Sequence, residues 1–193
     1  MACGIDAVWK DIVSNCSTAL TAGIEVEACL IRRTDLVTPL YDITNKSIIT
    51  GIACKLGKKA YKITGFRDNM FAGHDGVVSA EYPKRFSHVF AFKQYERAAE
   101  DIENVDNIDD FVVIVEMKDK TTTGDGTFRA YGVTKGLFIT TDTARTNTDN
   151  ATRSIEAASA ENGLESFSHF TVFDTDTATT KAMIDALYVT AIV

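Results

Sequence analysis

Three histidines, at positions 74, 88 and 169, and four cysteines, at 3, 16, 29 and 54, are the side chains best suited to chemistry in this chain. Their spacing argues against it. No Cys-x-x-Cys pair occurs and the histidines are scattered, so the ligand spacing of a zinc site is missing. There is no Gly-x-Gly-x-x-Gly, no phosphate loop ending in Gly-Lys-Ser/Thr and no Gly-x-Ser-x-Gly elbow. Gly124-Asp125-Gly126 shares a fragment with a calcium loop, but the further acidic ligands do not follow, and it reads as an ordinary turn. Asp109-Asp110 could act as a carboxylate pair; their place between a helix end and a strand start explains them as solvated charges. His88 alternates with aromatic residues and has no nucleophile pattern beside it, so it reads as a hydrogen-bonded core or interface histidine rather than a base. Enzyme is therefore the weaker class, and no catalytic residue, metal or cofactor is expected.

The elements that would position these residues centre on Arg85 to Met117, read as strand, helix, strand. Phe86, His88, Phe90 and Phe92 alternate with smaller or charged residues, a period of two. From Tyr95 to Ile108 the period changes: Tyr95, Ala98, Ala99, Ile102 and Val105 fall on one helical stripe, with Glu96, Arg97, Glu100, Asp101 and Glu103 opposite. Phe111–Val115 is apolar at every position and reads as a central strand covered on both sides.

The 193 residues suit one domain, and no apolar run reaches the roughly 18 residues needed to cross a bilayer. The start lacks the basic-then-apolar layout of a signal peptide, so use without export is expected, and with it free thiols. Cys29 and Cys54 read as small buried hydrophobes. Net charge is −7 and uneven. Up to Tyr95 there are 12 Lys/Arg against 9 Asp/Glu; from Glu96 on, 8 against 18. The whole chain would repel DNA, and the asymmetry fits either two differently solvated faces or one half meeting the other half of a neighbouring copy.

The remaining segments read as mostly β. Ile5–Val13 is either a short helix or an arm docked on a neighbour, within residues 1–20. Ile24–Arg33 alternates as a strand, Thr34–Asn45 is a loop, and a strand restarts at Ser47–Thr50. Gly51–Phe66 carries Lys55, Lys58, Lys59 and Lys62 around Tyr61 and Ile63. A polar sheet face at a subunit contact is favoured there over a nucleic-acid site, because no aromatic stacking pattern accompanies the lysines. Arg67–Gly76 reads as a polar loop with Met70 and Phe71 exposed, either docked on a partner or singly exposed. Val77–Glu81 reads as a strand that forms a long hairpin with Arg85–Tyr95. Lys118–Thr127 is a second loop. Phe128–Thr141 gives two strands or one kinked strand, Thr140–Thr152 a loop or an edge, and Arg153–Ala160 and Ser166–Phe173 further strands. The end is a helix capped by Asp176 or Thr175, with Ala178, Ala182, Met183, Ala186 and Leu187 as its apolar stripe. Tyr188–Val193 should pack on this subunit or a neighbour.

Several of these pieces together resemble the major tail, or tail-tube, proteins of tailed bacteriophages. They are Met1-Ala2-Cys3-Gly4, the Gly57-Lys58-Lys59-Ala60-Tyr61-Lys62-Ile63-Thr64-Gly65 strand, Arg85–Tyr95 feeding a helix, Val112–Val115, and Asp176–Ala182. Each piece is short, and together they are spread over most of the chain. The resemblance implies a β-sandwich or partial barrel with one helix packed on the sheet, a C-terminal helix and a long extended hairpin or loop. It implies rings of six subunits stacked into a tube, through whose channel DNA passes without specific binding. The partners would be the chain itself and other tail proteins, with no membrane. Residues 67–81 would then be the inter-subunit arm, and Ile48–Phe66 with Val77–Tyr95 the inner sheet. The expected interface residues are Lys55, Lys58, Lys59, Lys62, Arg67, Met70, Phe71, Glu96, Glu100 and Asp101, the lysines pairing across a seam with the acids. Other virion parts (a capsid decoration protein, a tail terminator, a baseplate component), an enzyme on a β scaffold and a host ligand-binding module are the competing readings.

Overall fold

A computed structural model of the chain describes residues 23–65, 69–78, 83–95, 103, 105–120, 124–145 and 152–191. The architecture is mostly β, as the periodicity requires. The strands are β1 (Ile24–Arg32), β2 (Leu40–Tyr41), β3 (Ile48–Gly51), β4 (Tyr61–Thr64), β5 (Met70–Val77), β6 (Arg85–Tyr95), β7 (Phe111–Met117), β8 (Phe128–Tyr131), β9 (Phe138–Ala144), β10 (Thr152–Ala158) and β11 (Phe170–Val172). An α-helix, α1, spans Thr177–Ala186. Seven strands form one sheet in the order β2-β3-β11-β8-β7-β1-β4, and four form a second in the order β5-β6-β10-β9.

The seven-stranded sheet is the middle layer, and alternation along its strands decides which core each residue joins. Phe111, Val113 and Val115 of β7, Ala28 and Leu30 of β1 and Tyr131 of β8 meet Met70, Phe90, Phe92, Ile155 and Ala157 of the four-stranded sheet. Val112 and Ile114, Cys29 and Ile31, and Phe128 and Ala130 point the other way. There they pack with Ile184 and Leu187 at the helix and with Leu36, Ile52, Cys54 and Ala60 of the irregular chain. Both cysteines are buried and free.

Several boundaries differ from the sequence reading. Residues 70–76 are not a loop but most of β5, paired with β6 from Met70↔Phe92 to Val77↔Arg85. The ladder supplies what Ala72, Gly73 and Gly76 lack in strand propensity. The ring of Phe71 lies over Gly73, where an added Cβ would come within 2.7 Å of it. Met70 is buried rather than exposed, because its partner Phe92 faces the core. Of the strand expected at 77–81, Val77 closes β5 and the rest adds none among the described residues. Within residues 51–65, Gly57, at φ +74°, turns the chain before β4. Residues 48–66 and 77–95 do not share a sheet: β3 and β4 are in the larger one, β6 in the smaller. Of the helix expected over 95–108, Tyr95 instead ends β6, paired with Thr152, while Glu103, Val105 and Asp106 are helical; Ala98, Ala99 and Ile102 of the expected stripe lie outside the described residues.

Residues 128–141 form two strands in different sheets. The crossing is made at Gly132 and Gly136, both near φ +80°, closed by Gly136 N–H donating to Gly132 O at 2.9 Å. On α1 the buried stripe is Thr180, Ile184 and Leu187 with Met183 alongside, while Ala178, Ala182 and Ala186 face out. A threonine can occupy that inner stripe because its hydroxyl is satisfied, donating to Asp176 O and accepting from Asp174 N–H. Asp176 caps the helix through Thr179 N–H at 2.8 Å. Residues 188–191 pack on their own subunit, Gly57 N–H donating to Ala191 O and Ala191 N–H to Lys58 O.

Gly132→Ala should cost about 2 kcal/mol or more in urea unfolding, because its Cβ would meet Leu137 Cγ at 2.7 Å and Phe111 O at 3.0 Å besides the strained φ. Gly57→Ala, with no atom within 4 Å, should cost only about 1 kcal/mol from the backbone alone.

Candidate functional site

Among the described residues each sheet ends on strands paired on one side only: β2 and β4 bound the larger sheet, β5 and β9 the smaller. Such strands carry a row of backbone N–H and C=O groups with no ladder partner. Three of the four edges also expose large apolar side chains. Leu40 lies on β2 with Ile43 just beyond it, Tyr61 on β4, and Phe71 and Val77 on β5, with Val78 next. Phe71 is 58% exposed and Val78 79%. The β9 edge is polar, exposing Thr140 to Ala144.

Lys58, Lys59 and Lys62 come together on the rim of a cleft of about 850 Å³ at one end of the space between the sheets. Leu30, Arg32, Phe92 and Phe111 also line it. The lysines have partners within the subunit. Lys62 Nζ reaches Glu27 at 3.0 Å and lies over the Tyr188 ring. Lys58 is 3.5 Å from Asp35. Lys59 lies over Tyr61, and Lys55 donates to Thr34 O at 2.6 Å. Lys55 is not part of the cleft lining. Met70 and Phe71 stand apart from it, beside a shallow hollow on the four-stranded sheet. Arg67, Glu96, Glu100 and Asp101 lie outside the described residues.

The strongest polar contacts are ones the sequence reading passed over. Asp110 is not a solvated charge: Arg33 donates to both its oxygens, at 2.6 and 2.7 Å, and its φ of 43° is one that aspartate tolerates. The pair requires glycine at 136, where a Cβ would fall 2.1 Å from Asp110 Oδ1. Arg153 points inward from β10 and binds both oxygens of Asp142 and, at 2.6 Å, Asp106. Its guanidinium holds the Asp142 carboxyl below the usual range. Buried Glu165 accepts from Thr134 N–H and Lys135 N–H, both at 2.8 Å. Arg153 did leave a signal: it shares the inward row of Ile155 and Ala157, where a charge must find a partner.

At the opposite end of the inter-sheet layer from the cleft, His88 is fully buried. Its Nδ1 accepts from Gly132 N–H at 3.0 Å, and its Nε2 donates to Phe167 O at 2.9 Å. Both ring nitrogens are committed to backbone. Ser168 Oγ lies 3.3 Å from His169 Nδ1, but burial and then Arg129 push that imidazole down to about 4, a poor proton acceptor at neutral pH. Burial pushes the Cys29 thiol up to about 12, which removes it as a nucleophile. Among the described residues no group of three His, Cys, Asp or Glu could hold a metal ion, and no helix is long and apolar enough to cross a membrane. What these groups do is fix strands and turns to one another. No family model matches the chain, and neither a curated protein nor a solved structure is similar to it.

Proposed function

We propose that the chain is a structural virion protein that assembles with copies of itself into stacked rings forming a phage tail tube, a channel for DNA. The observation that carries this reading is the edges: among the described residues both sheets end on strands paired on one side only, and three of those edges expose large apolar side chains. An exposed apolar edge is an association surface unless something covers it. Pairing β5 of one copy with β9 of the next would continue the four-stranded sheet from subunit to subunit.

In this reading the two packed sheets are the sandwich, and the β5–β6 hairpin is the arm that reaches a neighbour. The four-stranded sheet faces the channel. Its outer rows carry Ser154 and Glu156 on β10 and Thr141 and Thr143 on β9, with Ala91 and Lys93 on β6. Such a surface offers few cations to phosphate, so DNA would slide rather than stick. Lys58, Lys59 and Lys62 belong to the other sheet's side of the molecule, where they are available for subunit contacts.

Negative-stain microscopy and sedimentation of concentrated protein should find rings or tubes with a central hole. A discrete trimer would favour a capsid decoration protein, and a monomer at every concentration and salt would end the proposal. Phe71→Glu should abolish assembly while moving the thermal midpoint of the dispersed subunit little, since the ring is mostly exposed. Reversing Lys58 and Lys59 to glutamate should shorten or prevent tubes at a subunit stability changed by no more than about 1 kcal/mol. Tubes of normal length in that variant would remove the lysines from the interface.

A further inference from the structure

All three histidines of the chain converge at the end of the inter-sheet layer where the β5–β6 hairpin crosses the larger sheet. His74 of β5 and His88 of β6 are cross-strand partners. The His169 ring, just before β11, is centred 6.3 Å from His74, and Tyr131 of β8 lies 5.3 Å from His88 and 6.4 Å from His169. His88 ties the two sheets. It belongs to the four-stranded sheet, while its ring partners Gly132 and Phe167 follow β8 and precede β11 of the seven-stranded one. Its own backbone is held by Ser159, whose Oγ accepts from His88 N–H at 3.0 Å.

This arrangement exists for one protonation state. A ring that accepts a backbone N–H at Nδ1 while donating from Nε2 is neutral; a proton on Nδ1 would set two N–H groups against each other. We propose that His88 and His169 form an acid-sensitive latch where the β5–β6 hairpin meets the seven-stranded sheet: neutral, they hold the two together, and proton uptake releases them. The inference goes beyond the assembly reading and does not depend on it.

The surrounding charges decide where the latch opens. From β8, Arg129 faces His169 and opposes a proton there, and from β5 the His74 ring stands beside that of His169. Tyr131, also on β8, is held neutral by burial. On the β6 side, Lys84 lies over Phe86, and Arg85 is bound to Ser166. Asp75 is on the outer row of β5 opposite Ser87. Glu165 opposes, favouring a charged His88; its Oε1 accepts from two backbone N–H groups, while its Oε2 is buried with no hydrogen-bond partner among the described residues. Burial is the largest influence on both His88 and His169 and lowers both. A histidine lowered in the folded state contributes stability above its unfolded value and loses it as pH falls. The window therefore runs from about 6.5 downward, to about 4 for His169.

Hydrogen exchange of the full chain, corrected for the intrinsic rate, is compared at about pH 7 and about pH 4.5. Amides of Phe86–Phe90, Gly132 and Glu165 should lose about ten-fold or more of their protection, while those of Val112–Val115 in β7 keep theirs. Imidazole resonances of the unmodified protein should show His88 and His169 titrating in step with that loss. The variant His88→Asn, whose amide can accept at the Nδ1 position without titrating, should shift the opening to lower pH. Unchanged protection at His88, or loss in β7 at the same pH as at His88, would overturn the latch; so would an ordinary His88 titration near pH about 6.5 with no change in exchange.

Discussion

Every residue of β7 from Phe111 to Val115 is buried, so this strand has no side that can face water. That constraint fixes the rest. A strand apolar on both faces needs a cover on each, and the chain supplies them unequally: a second sheet on one side, and a helix with irregular chain on the other. The alternation along β1, β7 and β8 then assigns every second residue to one of two cores. A slip of one residue would exchange the two sets wholesale, which is why the register is held by so many large side chains.

Between the two sheets the apolar core does not reach both ends. At one end it opens into a cleft lined by Arg32, Lys58, Lys59 and Lys62. At the other it gives way to histidines, Tyr131 and Arg129. Among the buried polar groups there and at the turns, His88 is matched to Gly132 and Phe167, one oxygen of Glu165 to Thr134 and Lys135, Arg33 to Asp110 and Arg153 to Asp142 and Asp106, whereas Glu165 Oε2 and Arg129 Nε have no hydrogen-bond partner among the described residues. Leaving one such group unmatched costs more than a surface contact returns, so these ties determine how the hairpins and turns are seated. They are structural devices, and they account for residue types that would otherwise invite a catalytic reading.

Among the described residues, the sheet edges are the part that this internal order leaves incomplete. Soluble β proteins commonly blunt their edge strands with charge, proline or a covering loop. Here β5 presents Phe71 and Val77, and β2 and β4 present Leu40 and Tyr61. An assembly reading gives these residues a use that a self-sufficient monomer would not.

The sequence by itself determined the mostly β character, the burial of Phe111–Val115, the inward row His88, Phe90 and Phe92, and the burial of Cys29 and Cys54. Those depend on local periodicity and composition, which a single segment carries within itself. Tertiary structure alone decided that residues 70–77 form a strand, that β4 and β6 lie in different sheets, that Thr180 rather than Ala182 faces the core, and that Asp110 meets Arg33. None of these is visible along the chain, because each depends on a partner distant in sequence. Gly73 becomes strand only when Val89 stands opposite, and an aspartate becomes half of an ion pair only when an arginine 77 residues away is brought beside it.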